Sequence, residues 1–261
     1  MASTNLAAFL ADLQGGRIRV VDLTQTLTPE FPTIPLPPQF GQCAPFTIEN
    51  VSRYDERGPA WYWNNFACNE HTGTHFDAPI HWVTGKDLPD NAVDTIPAQK
   101  FIAAAAVIDC SKEVAANPDF LLTVGFVKAW EEKHGRIPAG AWVLMRTDWS
   151  KQPTPAAYLN AKEDGCHTPG PDAGVVQWMI EERDVCGFGV EAIGTDAGQS
   201  YAWETPFPCH YFMHGNNRYG LQCLTNLDLL PPQGAVIFAA PLKIQNGSGS
   251  PLRVLAMVQD A

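Results

Sequence analysis

The sequence predicts an α/β fold built as a single mixed domain, and two observations support this class. Short apolar segments bounded by turn residues, which are typical of buried strands, alternate with amphipathic segments of helical spacing. No linker or shift in composition divides the 261 residues, and a chain of this length can bury a sizeable core. Because strands and helices do not alternate regularly, we expect one mixed α/β domain.

The first predicted element is an amphipathic helix within residues 1–16. Ser3 can cap it, and Gly15-Gly16 ends it. Its apolar residues recur at helical spacing, at Leu6, Phe9, Leu10 and Leu13. The apolar face is narrow, and the two glycines let the helix reach away from the rest of the chain. We therefore expect residues 1–16 to be an oligomerisation element and residues 17–261 to form the main domain.

The remaining elements are strands, two helices and one long loop. A strand is predicted at residues 18–23, and further buried strands at 104–109, 142–146, 190–194, 235–239 and 252–258. Helices are predicted at 123–134 and 171–182, with Pro171 near the first turn of the second. Six prolines between positions 29 and 45 exclude regular structure there and predict a surface loop, a candidate lid.

Charge and cysteine content exclude several classes of protein. With 17 Lys+Arg and 28 Asp+Glu, the formal net charge is −11, so nucleic acids and anionic membrane surfaces are not expected partners. No apolar run approaches the roughly 20 residues of a membrane-spanning helix, and the N-terminus does not resemble a secretory signal. The seven cysteines form no Cys-x-x-Cys pair, which predicts reduced thiols and a cytoplasmic location.

One segment carries an unusual density of metal-binding side chains. His71-Thr-Gly-Thr-His75-Phe-Asp77-Ala-Pro-Ile-His81 contains three of the seven histidines and one aspartate. Gly73 and Pro79 argue against a regular helix, whereas an extended segment that then turns can direct several side chains to one point. Two imidazoles and a carboxylate suit zinc or manganese, and three protein ligands leave positions for water and substrate.

A structural alternative exists for this cluster. A lone histidine is more often a hydrogen-bonded structural residue than a ligand. Three histidines and an aspartate at this spacing, separated by glycine and proline, favour a metal or catalytic site instead.

The same segment resembles the His-x-Gly-Thr-His-x-Asp-x-Pro-x-His motif of the cyclase-like metal-dependent amidohydrolases, a family that includes bacterial kynurenine formamidase. The resemblance implies that His71, His75 and Asp77 bind the metal and that His81 is the general acid/base. It also implies a swivelling β/β/α cyclase-like fold, and a homodimer or a larger homo-oligomer.

Further segments, spread over nearly the whole chain, resemble a branch of this family that hydrolyses the cyclic amide isatin. They lie at residues 61–64, 82–87, 108–113, 145–149, 193–198, 206–210 and 240–244. The resemblance implies opening of isatin to isatinate with one divalent metal, Mn²⁺ first and Zn²⁺ as the alternative. The alternative activity is that of an arylformamidase acting on N-formylkynurenine.

A second histidine pair, His210 and His214, is spaced to share one face of a helix. In the formamidase branch, a histidine at position 210 and a glutamate twelve residues later help to hold a second metal. Here that later position is Gln222, a further candidate ligand but a neutral and weaker one. We therefore expect a single metal, with His210 contacting substrate as the resemblance implies. His214 is expected on the helix surface or at an interface.

Aromatic residues near both histidine groups predict a flat apolar binding site. Trp63, Trp82 and Phe207 are the candidates to contact a small planar aromatic substrate, since aromatic walls favour flat ligands. Core packing is the alternative explanation for about half of the aromatic residues in these segments. His167, in a loop before a predicted helix, is expected to be solvated.

Overall fold

The computed structural model of the protein describes residues 4–259. Its helices are α1 (Thr4–Gln14), α2 (Ser111–Ala116), α3 (Val124–His134), α4 (Pro155–Leu159), α5 (Ala173–Arg183) and α6 (Pro208–Gly215). Short 3₁₀ turns occur at Pro79–His81, Ala98–Phe101, Trp149–Lys151, Ser200–Ala202 and Leu227–Leu229. The first helix is confirmed, while its predicted cap, Ser3, lies outside the described residues.

The strands are numbered in chain order. They are β1 (Ile18–Asp22), β2 (Thr47–Asp55), β3 (Gly58–Ala67), β4 (His75–Asp77), β5 (Ile102–Asp109), β6 (Leu121–Leu122), β7 (Trp142–Arg146), β8 (Ala161–Lys162), β9 (Gly165–Cys166), β10 (Gly170–Pro171), β11 (Gly187–Val190), β12 (Tyr219–Gln222), β13 (Ala235–Phe238), β14 (Gly249–Pro251) and β15 (Leu255–Gln259).

A nine-stranded mixed sheet organises the domain, in the order β1-β15-β13-β5-β7-β11-β12-β4-β14. The central strands β5, β7, β11 and β12 are parallel, and the flanking pairs are antiparallel. The sheet curls into a half-barrel, and the prediction of a single mixed α/β domain is confirmed.

Both faces of the central strands are buried, which explains why their sequences are apolar without interruption. In β7, Val143 and Met145 face a cluster that includes side chains of α3, α5 and α6. Their neighbours Trp142 and Leu144 face the opposite cluster, inside the curl of the sheet. The alternation expected of a strand is present, but both sets of side chains find apolar partners.

Several predicted elements begin at a different residue from the one expected, including the strand predicted at 252–258, which begins at Leu255. The strand predicted at 190–194 is β11, which begins at Gly187 and ends at Val190. Its glycines lie within the sheet, and a Cβ at Gly187 would lie 2.4 Å from the Trp142 ring. Pro171 belongs to the short strand β10 and not to α5. Helix α5 is capped by Asp172, whose side chain accepts the backbone N–H of Val175 at 2.6 Å.

The β2–β3 hairpin was not predicted from the sequence. Its two strands pair with each other and are separate from the nine-stranded sheet. Most of its side chains are exposed, including several aromatic ones, so it shows neither the buried run nor the simple alternation that identifies a strand in sequence.

Helix α1 also leaves apolar side chains in solvent. Leu6 is 82% exposed and Leu10 is 50% exposed, so its own domain covers little of the predicted apolar face. The proline-rich stretch 29–45 contains no helix or strand, as predicted. Within residues 4–259, every helix is too short or too polar to cross a lipid bilayer.

Candidate metal centre

The 71–81 segment forms a turn, the short strand β4 and a single 3₁₀ turn, as its glycine and proline predict. Strand β4 lies between β12 and β14, and this register pairs His75 with Gln222. Glycines flank Asp77 on both neighbouring strands. A Cβ at Gly220 would lie 2.7 Å from Oδ2 of Asp77, and one at Gly249 would lie 2.6 Å from the His71 ring. Only glycine leaves room for the cluster at these two positions.

His71 and His75 both converge on the carboxylate of Asp77. Nδ1 of His71 lies 2.8 Å from Oδ1 of Asp77, and Nε2 of His75 lies 3.4 Å from the same oxygen. His75 donates its Nδ1–H to the carbonyl of Gly73 at 2.8 Å, which leaves Nε2 available as a ligand. Nε2 of His71 lies 2.9 Å from the hydroxyl of Ser248.

Asp77 has no solvent exposure and is the electrostatic centre of the site. Burial by itself would raise its pKa, but the imidazoles of His75 and His71 hold the pKa of this carboxyl well below its usual range. Burial likewise opposes the charged form of His75, and Asp77 outweighs it, raising the pKa of His75 to about 10. The side-chain amide of Gln222 donates a hydrogen bond to Oδ2 of Asp77.

His81 ends the 3₁₀ turn and stacks on His71, with ring centroids 3.9 Å apart. Burial lowers the pKa of His81 well below its ordinary value, and the charge of Asp77 offsets only part of this effect. Its imidazole is therefore neutral at neutral pH, the form that can accept a proton.

Helix α6 brings the second histidine pair to the same place. His210 is buried, with Nε2 3.9 Å from Oδ2 of Asp77 and Nδ1 hydrogen-bonded to Asp196. Burial lowers the pKa of His210, but Asp196 outweighs it and the net shift is upward.

The prediction that His214 lies on the helix surface is wrong. This residue is 1% exposed and donates its Nδ1–H to the carbonyl of Arg218 at 3.1 Å. Among the described residues, Nε2 of His214 has no hydrogen-bond partner. Burial lowers the pKa of His214 to about 4. The spacing alone did not show that this face of the helix packs on the sheet.

These side chains fit a divalent cation. One ligating atom each of His71, Asp77 and His81 lies within 4.8 Å of the others, and the same holds for Asp77, His210 and His214. Imidazole nitrogens and carboxylate oxygens are the donors that zinc and manganese accept. The first group contains His81 and not the predicted ligand His75, so His81 is also near enough to the other donors to be a ligand.

Two of the three predicted aromatic residues lie beside the histidines. The Trp82 ring is 4.9 Å from that of His210 and 5.7 Å from that of Phe207. Trp63 lies instead on β3, is 57% exposed and packs edge-on against Trp61. Within one chain, Trp63 is therefore not part of the cluster.

His167 is not the solvated residue that its loop position suggested. Its side chain is 12% exposed and lies between two carboxylates, at 2.8 Å from Asp119 and 3.1 Å from Asp164. Asp119 is distant from His167 in sequence, whereas Asp164 lies in the same turn. No sequence pattern indicated either contact.

Three further polar residues complete the surroundings of the site. The hydroxyl of Ser248 donates its hydrogen to Oε2 of Glu70 at 2.6 Å, and its oxygen accepts from Nε2 of His71 at 2.9 Å. Asp196 holds His210. In the sequence, Asp196 was indicated only by the family resemblance of residues 193–198, which assigned it no role.

The chain is similar over most of its length to proteins of one family. A family model described as putative cyclase matches residues 21–197. An isatin hydrolase of Roseibium aggregatum is 50% identical over 262 residues, covering 100% of this chain and 99% of the relative. The solved structure of isatin hydrolase A from Ralstonia solanacearum has 66% identity and a TM-score of 0.98, covering 99% of this chain and 98% of that one. An isatin hydrolase bound to the product analogue thioisatinate has 49% identity and a TM-score of 0.97, with 100% of both chains covered.

Proposed function

Because the chain belongs to the cyclase family, as a metal-dependent hydrolase of the isatin hydrolase branch, we propose that it opens the ring of isatin to give isatinate. The observation that carries this proposal is the convergence of His71, His75 and Asp77 in one cluster around the buried Asp77 carboxylate, with the neutral imidazole of His81 stacked beside it. A solved relative of the same fold binds thioisatinate, a product analogue.

His71, His75 and Asp77 would hold one divalent cation, Mn²⁺ first and Zn²⁺ as the alternative, with Gln222 as a further candidate ligand. Such a cation, when bound, polarises a carbonyl and lowers the pKa of a bound water. The protein orients the two imidazole rings that would bind the cation. The carbonyl of Gly73 fixes the tautomer of His75, and Ser248 fixes the ring of His71.

His81 acts as the general acid/base. In its neutral form it accepts a proton from the attacking water at a ring nitrogen, and it then donates that proton to the nitrogen that leaves the broken amide bond. Burial lowers the pKa of His81 in the free protein, so the ring is neutral and can accept this proton.

His210, Trp82 and Phe207 form the substrate-binding side. The two aromatic rings provide apolar walls for a planar bicyclic molecule, and Nε2 of His210 faces the same space as Asp77. Trp63 remains a prediction as a substrate contact. Its position on an exposed hairpin does not support that role within a single chain.

Arylformamidase activity on N-formylkynurenine is the weaker candidate. A two-metal site needs a carboxylate between the cations, and this chain has the neutral Gln222 at that position, bonded to Asp77. The substrate is also larger and charged, whereas the walls of this site are aromatic.

The proposal includes a cytoplasmic location and a homodimer or a larger homo-oligomer. All seven cysteines are free thiols, and four of them are buried, which suits a reducing compartment. The exposed apolar side chains of α1 support an assembly role for this helix.

The test is a direct comparison of the two substrates. Purified protein loaded with Mn²⁺ is incubated with isatin and, separately, with N-formylkynurenine, and the aromatic absorbance is followed. We expect faster cleavage of isatin. Faster cleavage of N-formylkynurenine would reverse the order of the two candidates.

A further inference from the structure

Asp196 is a buried carboxylate that binds two parts of α6 at once. Its Oδ1 accepts the backbone N–H of Cys209 at 2.6 Å, and its Oδ2 accepts the backbone N–H of His210 at 3.2 Å. The same Oδ2 lies 2.5 Å from Nδ1 of the His210 ring. One side chain thus determines both where the helix begins and how the ring is turned.

Helix α6 depends on this distant partner because its own N-cap residue provides none. Phe207 occupies that position with a φ of 52°, and its side chain makes no capping hydrogen bond. Asp196 reaches the helix from the loop that follows β11, which turns at Gly194 with a φ of +134°. A carboxylate near a helix N-terminus is also favoured by the helix dipole.

The bond to Asp196 decides which nitrogen of His210 faces the metal centre. An ionised carboxylate only accepts hydrogen bonds, so Nδ1 carries the proton. Nε2 is then turned towards Asp77, 3.9 Å from its Oδ2. Thr195 lies 3.3 Å from the same Nδ1, and Trp82 packs on the ring. A flipped ring would lose the bond to Asp196.

We propose that Asp196 is a positioning residue for the hydrolysis reaction: by holding Nδ1 of His210, it keeps Nε2 directed at the substrate. This inference rests on the proposed function, in which His210 contacts the substrate. The carboxylate of Asp196 accepts hydrogen bonds from Cys209 and His210 and, within the described part of the chain, bonds to none of the proposed cation ligands His71, His75 and Asp77. Its effect passes through the imidazole, as carboxylate partners of site histidines generally act.

The chain offers a matched control for the capping role. Asp172 is also a carboxylate that caps a helix, accepting the backbone N–H of Val175 at 2.6 Å, and no histidine bonds to it. Asp196→Asn and Asp172→Asn both keep the shape of the side chain and an oxygen that can accept from the backbone. Only the first variant places an amide N–H against a histidine ring.

The kinetic test measures KM and kcat for isatin in both variants. For Asp196→Asn we expect kcat/KM to fall about 10- to 100-fold, mostly through KM, because His210 is misdirected while the cation ligands stay in place. Asp172→Asn should keep both constants. A fall confined to kcat, or equal losses in the two variants, would show that Asp196 only supports the fold.

A spectroscopic test does not depend on turnover. Histidine labelled with ¹⁵N reports which ring nitrogen carries a proton in the zinc-loaded protein, and His210→Gln identifies the signal. We expect a protonated Nδ1 in the wild type and an Nε2-protonated ring in Asp196→Asn. A wild-type His210 without a proton on Nδ1 would overturn the proposal, even if the variant did not fold. Because this result is independent of the substrate, it separates failure of this inference from failure of the proposed function.

Discussion

Gln222 donates a hydrogen bond from its side-chain amide to Oδ2 of Asp77, across an antiparallel pair of strands and 145 residues of sequence. A neutral amide therefore occupies the position at which a second carboxylate could share the space between two cations. This contact leads to the first prediction.

We expect one metal per chain in the wild type and two in Gln222→Glu. Two divalent ions about 3.5–4 Å apart repel strongly unless carboxylates lie between them, and the substitution adds one beside Asp77. Elemental analysis after gel filtration measures the ratio, with Gln177→Glu, at an exposed position of α5, as the control for added charge. Two tightly bound metals in the wild type would contradict the single-metal interpretation.

The second prediction concerns the role of His81. His81→Ala should retain the metal and lose turnover by about 10²- to 10⁴-fold, since it removes the base and leaves three ligands in place. Turnover and metal content are measured on the same preparation. His134→Ala, at the exposed end of α3, is the control and should keep both. Loss of the metal in His81→Ala would make His81 a ligand, and near-full activity would exclude it as the base.

The third prediction distinguishes the metal ligands from the general base, because loss of a ligand removes the metal as well as the activity. His71→Ala and Asp77→Ala should each lose metal and activity together, because each removes a donor from the cluster. Ser248→Ala keeps all donors and removes only the hydroxyl at 2.9 Å from Nε2 of His71, so it should retain most of the metal. Dialysis followed by elemental analysis distinguishes these cases. Full metal loading in either of the first two variants would place the ligand set elsewhere.

The fourth prediction concerns assembly. Deletion of residues 1–14 should lower the oligomer mass measured by light scattering, because it removes exposed apolar residues such as Leu6 and Leu10. A double variant, Leu6→Ser with Leu10→Ser, should have the same effect without shortening the chain. If both proteins keep the wild-type mass and melting temperature, the helix has no role in assembly.

The fifth prediction is a pH dependence of stability that originates at Glu191. This fully buried carboxyl accepts hydrogen bonds from the backbone of Thr147 at 2.6 Å and from Ser150 at 2.8 Å. Burial raises its pKa above the ordinary value of 4.5, although these donors oppose the shift. Because the folded-state pKa is raised, the contribution to stability is complete below about pH 4.5 and is lost as the pH rises through the folded-state value.

Glu191→Gln removes this titration. We expect its free energy of unfolding, relative to the wild type, to rise between pH 4 and pH 7 in urea denaturation, whereas Glu132→Gln on the exposed side of α3 should follow the wild type. Glu191→Ala should be destabilised by about 1–3 kcal/mol, because it leaves buried donors unsatisfied. Parallel pH profiles for Glu191→Gln and the wild type would refute the assignment.

Much of the site was predictable because its main elements lie within one short segment. The distance between His71 and His81 along the chain is small, and Gly73 and Pro79 exclude a helix, so local backbone geometry brings these side chains near one another. The central strands were predictable for a related reason. Strands buried on both faces are apolar throughout, as in residues 142–146, and this pattern survives whatever the order of strands in the sheet.

The class of fold and the histidine–aspartate cluster could be predicted from the amino-acid sequence alone. The tertiary structure determines what surrounds this cluster: it brings the Gln222 amide to Asp77, buries His214 and places Asp196 in hydrogen-bonding distance of His210. It also decided that Trp63 is exposed on a separate hairpin. These facts depend on the order of strands in the sheet and on which helix face packs against it. Residues far apart in sequence meet only through that packing, and periodicity within a single segment carries no information about it.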